Sequence, residues 1–365
     1  MISVTKTFLP PREELDRYID KIYDSNWLTN FGQLEQLLTE RLKKHLEVDN
    51  MLLVANGTLA MQVVYKALGI TGEVITTPFS FVATTSSLVW EGLTPIYADI
   101  DPVSFNISPE NITKLITPKT SAILGVHVYG RPCEVNKIQK IADDHNLKVI
   151  YDAAHSFDVK TIENKSILRY GDVSTLSFHA TKLFHTIEGG AIISNDTNLI
   201  KECKKLINFG ITGYDKIEGL GINCKMNEFS AAMGLAVLDN IDKITEGRKL
   251  AYEQYIELLP STILPPTINF ANINYSYFPI LLKDEEQLLS VRQALLENNI
   301  VPRRYFYPSL NMLNYLNYQS CPVSEDISKR ILCLSIFCNL NNSQVKTICD
   351  IIIRIINEKN TSHHG

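Results

Sequence analysis

Three short stretches of the chain carry residue types that can do chemistry together. Asn56-Gly57-Thr58 follows the apolar run MLLVA and precedes a helical pattern. Backbone N–H groups and a hydroxyl therefore converge where a strand gives way to a helix, an arrangement suited to an anion such as phosphate. Asp152 ends the apolar run KVIYD, at the strand edge where open α/β folds bind ligands. Lys182 lies in SFHATKLFHTIEGGAI, between two strand-like runs and beside two histidines. A lysine sheltered there can lose its proton and form a Schiff base with a carbonyl. Glu188, Gly189 and Gly190 let the backbone turn tightly and approach a ligand. Phe81, in TTPFSFVAT, offers a flat surface for stacking, and His155 stands close to Asp152 in sequence.

Taken singly, each group has a plain structural reading: an N-cap, a turn cap, a solvated lysine, a core aromatic, a satisfied core histidine. Taken together they match one cofactor. Pyridoxal phosphate has a phosphate for the cradle, a ring nitrogen that pairs with a carboxylate, and an aldehyde that takes a lysine.

Such residues need elements to hold them. From residue 51 to about 195, MLLVANG, EVITTP, TPIYADI, SAILGVHVYG, KVIYDAAHS, STLSFHA and GAIISND read as strands. TLAMQVVYKALG, FVATTSSLVWEG and CEVNKIQKIADDHNL read as helices between them. This alternation predicts an α/β fold with a mostly parallel central sheet flanked by helices. A further helix opens near MNEFSAAMGLAVLDNID, and an Arg/Lys-rich helix then leads away from the sheet. Beyond about residue 260, PPTINFANINYSYFPILL is strand-like, EEQLLSVRQALLENN helical and VKTICDIIIRIINEK a closing helix. The expected division is a large cofactor-binding domain, 1–245, and a smaller C-terminal α+β domain, 246–365. The tail TSHHG reads as frayed.

Composition narrows the partners. With 365 residues, 45% of them apolar and 21% charged, the chain is a folded protein of about two domains. Lys+Arg 35 against Asp+Glu 40, with no basic run, makes nucleic acid a poor partner. Seven scattered cysteines without a C-x-x-C pair point to neither a disulfide framework nor a metal site. The start, MISVTKTFLPPREELD, lacks the apolar core of a signal peptide, and no apolar run approaches the ~18 residues of a membrane span. A cytoplasmic protein without membrane contact is expected.

The motifs also resemble a known family, the DegT-type nucleotide-sugar aminotransferases, which are fold-type I pyridoxal-phosphate enzymes. The likeness runs through NWLTNFG, NGTLAM, TTPFSFVAT, GVHVYG, IYDAAHS, SFHATKLFHTIEGGAI and GINCKMNEFSAAMG, which together span most of the chain. It is most specific at the lysine, where the family pattern is close to S-F-H-x-x-K followed by E-G-G. The resemblance implies that Lys182 carries the cofactor, Asp152 pairs with the ring nitrogen and Phe81 stacks on the ring. It implies that Gly57, Thr58 and Ser177 hold the phosphate, that His155 stands where Gln is usual, and that Asn223 reaches the phosphate of a neighbouring subunit. A homodimer with shared active sites follows.

The implied reaction moves an amino group from L-glutamate to a nucleotide-linked keto-deoxysugar. NWLTN, IYDAAHS and SFHATKLFHT look most like the branch that aminates dTDP-4-keto-6-deoxyglucose, in lipopolysaccharide O-antigen biosynthesis. A 3-keto acceptor is the alternative. The family's dehydratase branch has His at the lysine position, so Lys182 argues against it, and a regulator would need a DNA-binding module that the chain does not offer. Candidate contacts for the sugar diphosphate are Lys225, Arg303, Arg304, Tyr305 and Tyr307. Departures from the pattern cluster on substrate-facing parts: Lys225 for Arg, Ile187 for Gly, Ser-Leu-Asn for Pro-Leu-His, and LSIFCNL without its usual prolines.

Overall fold

A computed structural model describes residues 1–266 and 273–361. Short buried apolar runs build its central sheet. After a two-residue strand β1 (Ile2–Ser3) come β2 (Met51–Val54), β3 (Glu73–Thr76), β4 (Thr94–Tyr97), β5 (Thr120–Val126), β6 (Lys148–Asp152), β7 (Val173–Ser177) and β8 (Gly190–Ile193). The last seven form one sheet in the order β2-β8-β7-β6-β5-β3-β4. Pairing from β4 through β7 is parallel, while β8 runs antiparallel to both β7 and β2. All seven are the strands that the apolar runs predict.

Both faces of the sheet are covered, and the period of two shows it. Val149 and Tyr151 of β6, Ala191 and Ile193 of β8, and Met51 and Leu53 of β2 pack into one core. Ile150, Ile192, Leu52 and Val54, the residues between them, pack into the other. The helices Gly57–Ala67, Ala83–Trp90, Val135–His145 and Glu228–Leu238 lie where the patterns place them.

Two helices that the strand-and-helix pattern above does not include precede the sheet, Arg12–Ser25 and Gln33–Leu46. The second buries Leu34, Leu38, Leu42 and Leu46, a stripe of every fourth residue. Its first turn is capped from a distance. The buried carboxylate of Glu228 accepts the Leu34 amide at 2.8 Å and the Glu35 amide at 2.9 Å. A Cβ on Gly32 would run into that carboxyl group and push it off the two amides that it caps. The motifs NWLTNFG and MNEFS are thus one piece of structure.

An 18-residue helix, Ile241–Leu258, leads out of the sheet, and the expected division at 245/246 falls inside it. Beyond the hairpin β9 (Ile211–Gly213) and β10 (Lys216–Ile217), the C-terminal part contains β11 (Phe278–Leu281), β12 (Ile300–Val301) and β13 (Ile331–Leu334). β11 pairs antiparallel with β13, and the helices Glu285–Glu297 and Asn342–Thr361 share a core with them. β1 pairs with β12, so the N-terminal residues join this C-terminal core. Among the described residues of the strand-like stretch PPTINFANINYSYFPILL, only β11 is strand. Residues 267–272 and the tail 362–365 lie outside the described residues. No helix among the described residues is long and apolar enough to cross a membrane.

Candidate active site

Parallel strands aim their carboxyl ends at one edge, and there the expected residues meet. A cleft of about 700 Å³ is lined by Gly57, Thr58, Phe81 and Ser177 together with Asp152, His155 and Lys182. Gly57 opens its helix behind Asn56, whose side chain caps the Leu59 amide at 2.8 Å. A Cβ on Gly57 would stand 2.9 Å from that of Ser177, so only glycine lets the helix start lie against the end of β7. Gly190 is as tightly placed, since its Cβ would meet the Gly57 nitrogen at 2.9 Å. Phe81 is 55% exposed, a ring left bare at the cleft rather than packed in the core.

Asp152 is buried at the end of β6. The Thr84 hydroxyl donates to Oδ2 at 2.8 Å and the Ala154 amide to Oδ1 at 3.1 Å. Ser80 and Thr84 share a hydrogen bond of 2.8 Å that steadies the first of these donors. Both donors are neutral, and burial pushes the carboxyl pKa above its ordinary value. A buried carboxylate aimed into a cleft with only neutral donors in hand is short of a cation.

His155 is buried and neutral. Its Nδ1 accepts the Tyr129 amide at 3.3 Å, its ring stacks on Phe306 at 5.6 Å, and burial holds its pKa well below the usual value. Lys182 sits in the turn after β7, closed at its base by the Phe178 amide on the Gly189 carbonyl (2.8 Å). Thr7 straps the same turn by donating to the Ala180 carbonyl at 2.9 Å. Burial lowers the Lys182 pKa to about 8, against the opposing pull of the Asp152 charge. The neutral, nucleophilic fraction of the amine near physiological pH is therefore a minority, yet far above that of an ordinary lysine. Ile187, where the family has Gly, keeps a glycine-like backbone at φ +69°, with its side chain half exposed.

The substrate-facing candidates divide. Arg303 and Tyr305 line the cleft. Arg304 does not join them: its Nη2 is 2.6 Å from Glu285 Oε1 and its guanidinium lies 3.5 Å from the centre of the Tyr307 ring. Arg304 and Tyr307, expected at the diphosphate, thus face each other, with Arg304 also on Glu285, and neither is among the residues lining the cleft. Among the described residues that line the cleft, neither Asn223 nor Lys225 is found. Asn223 is exposed and bridges Asn208, and Lys225 Nζ donates to Asn208 Oδ1 at 2.7 Å. Several residues at the site escaped the motif reading: Thr84, Asn274 and Tyr277. Thr84 lies one turn after Phe81 and could have been found by that spacing. The other two come from a stretch whose strand-like pattern says nothing of a site.

With this geometry in place, the comparisons with known proteins are specific. Residues 11–353 match the DegT/DnrJ/EryC1/StrS aminotransferase family, and the chain belongs to it. Over 364 residues it is 42% identical to a dTDP-4-amino-4,6-dideoxy-D-glucose transaminase of Escherichia coli, covering 96% of this chain and 98% of that one. The solved structure of DesI with its TDP-sugar product superposes with a TM-score of 0.90 at 30% identity, over 100% of this chain and 95% of that one. NtdA of Bacillus subtilis with bound PMP superposes with a TM-score of 0.87 at 25% identity, over 95% of this chain and 82% of that one.

The enzyme is a pyridoxal-phosphate-dependent transaminase, and its residues fit the cofactor. Asp152 offers the counter-charge for a protonated ring nitrogen, Gly57, Thr58 and Ser177 offer phosphate donors, and Lys182 offers a neutral amine. When bound, the cofactor supplies an aldehyde for amine exchange and a ring that accepts the electron pair freed at the substrate carbon. With the cofactor held there, Lys182 Nζ would be the base placed to move a proton at the substrate carbon. Asp152 would keep the ring nitrogen protonated, and Phe81 would present a face to the ring.

Proposed function

We propose that the protein transfers the amino group of L-glutamate to C4 of dTDP-4-keto-6-deoxyglucose, forming dTDP-4-amino-4,6-dideoxyglucose, as a cytoplasmic homodimer with shared sites. What carries this reading is the meeting of Asp152 and Lys182 in one cleft of a chain so similar to a transaminase of that name. Incubation with glutamate and a panel of 3- and 4-keto nucleotide sugars, with products identified by mass spectrometry and NMR, tests it. The dTDP-4-keto sugar should be the best acceptor and yield the equatorial amine. A preference for a 3-keto isomer, or for a UDP- or GDP-sugar, overturns the substrate and leaves the aminotransferase assignment standing.

The two neighbouring arginines should behave differently. Arg303→Ala is expected to raise the sugar KM about tenfold with a smaller change in kcat, the size of one charged hydrogen bond to the diphosphate. Arg304→Ala should leave the sugar KM within about twofold and instead lower the melting temperature, because it leaves Glu285 without its partner. Steady-state kinetics and a melting curve on both variants check this. Equal KM effects would put both arginines on the substrate.

The shared site is supported by where Asn223 stands, outside its own cleft and beside Phe209 and Ile222, both more than 40% exposed. If it serves the partner's phosphate, the inactive variants Lys182→Ala and Asn223→Ala rescue one another on mixing. Random exchange makes half the dimers mixed, each with one intact site, so about a quarter of wild-type activity returns. Absence of rescue after confirmed exchange counts against sharing.

A further inference from the structure

Tyr277 is held more firmly than its place in a loop before β11 requires. In the preceding turn, buried Asn274 donates from Nδ2 to the carbonyls of His155 (2.8 Å) and Phe157 (2.9 Å), and its Oδ1 accepts the Ser276 amide at 3.2 Å. From the other side, Arg248, buried in the helix Ile241–Leu258, donates to the Ser276 carbonyl at 3.3 Å. The turn is thereby tied both to the sheet's carboxyl edge and to the helix that leaves the sheet. Tyr277 lines both the main cleft and a small pocket of about 30 Å³ on which Lys182 and His155 also border. Its ring meets His155 at 4.7 Å, and its hydroxyl accepts a hydrogen bond from Lys182 Nζ at 3.2 Å.

We propose that Tyr277 is a further catalytic residue of amino transfer, its hydroxyl holding the Lys182 amine in place while that amine carries a proton. The hydroxyl accepts from the ammonium and donates to the neutral amine, so Nζ keeps a partner before and after its proton leaves. Burial holds the phenol un-ionised, so it changes hydrogen-bond direction and gives up no proton. The other titratable groups around it are Asp152, whose charge favours the ammonium, His155, which is neutral, Arg248, whose charge favours the phenolate, the buried thiol of Cys333, and Tyr305, 6.0 Å from the Tyr277 ring. The inference rests on the transamination reading, and its residue comes from the C-terminal part of the chain rather than the lysine motif.

The test compares full-length wild type and Tyr277→Phe, which keeps the ring against His155. Each is freed of cofactor and acylated with acetic anhydride across a pH series, and labelling of the Lys182 peptide is read by mass spectrometry. Wild type should show a midpoint near the lowered lysine value of about 8. In the variant the midpoint should fall by about one pH unit, because the ammonium loses an acceptor in a poorly solvated place. In the loaded enzyme, kcat of the glutamate half-reaction should fall about tenfold or more, with KM for glutamate within about twofold. A midpoint that does not move overturns the proposal, and so does a kcat near wild type. The labelling uses neither cofactor nor sugar, so a wrong sugar assignment leaves its outcome untouched.

Discussion

Lys182→Arg is expected to give a folded, colourless protein whose turnover is down at least about 10⁴-fold, the upper range for a lost acid–base group. Arginine keeps the positive charge and much of the length, but its guanidinium stays protonated and forms no carbonyl adduct. The visible absorbance of a lysine-bound cofactor is read alongside product formation. A Lys182→Arg enzyme that still aminates sugar would remove the lysine from the mechanism. A second variant isolates the cost of burying this amine. The folded-state pKa of about 8 lies below the ordinary 10.5, so between those values the unfolded chain binds more protons and stability of the cofactor-free protein rises with pH. Below about pH 8 the full penalty applies. Lys182→Met should therefore melt above the cofactor-free wild type at pH 7, an advantage that disappears as the pH approaches 10.5.

Asp152→Asn should keep its fold and its cofactor and lose about 10²–10³-fold in kcat, roughly 3–4 kcal/mol of barrier. Asparagine fits the same volume and can still accept from Ala154 while facing the Thr84 hydroxyl. What it lacks is the charge that keeps the ring nitrogen protonated. Cofactor content and kcat on the same preparation decide the matter. Near-normal kcat in a loaded Asp152→Asn enzyme means another acid supports the ring.

The sheet was legible because its strands are buried on both faces and read as unbroken apolar runs bounded by turns. Asp152 and Lys182 were legible for a related reason, since a strand's end can be located even when its neighbours cannot. The first helix was harder. Arg12–Ser25 has one buried residue, Ile22, and little of its sequence reports on the core. The Leu34–Leu46 stripe, by contrast, was open to view. Arg303 and Arg304 show a different limit. Successive side chains of an extended segment alternate sides, so one of the two had to turn from the cleft, but only the position of Glu285 decides which. Tyr277 and Asn274 act through contacts with residues more than ninety positions away, for which local pattern has no sign.

The place of β2 in the sheet has a consequence for biosynthesis. It lies at the sheet's edge, and its strand neighbour is β8, with Val54 opposite Gly190. On its other side, among the described residues, its end is bridged by Val54 to Lys225, next to the hydrogen bond from the Ala55 amide to the Cys224 carbonyl. During translation the run Met-Leu-Leu-Val therefore leaves the ribosome with no backbone partner, and remains so while well over a hundred further residues are made, roughly ten seconds to half a minute at ordinary elongation rates. For that interval it is a bare apolar edge of the kind that pairs with other chains. At this stage pairing with other chains competes with folding. The helix start at Gly57, which packs against Gly190 of β8, likewise lacks that neighbour until β8 is made.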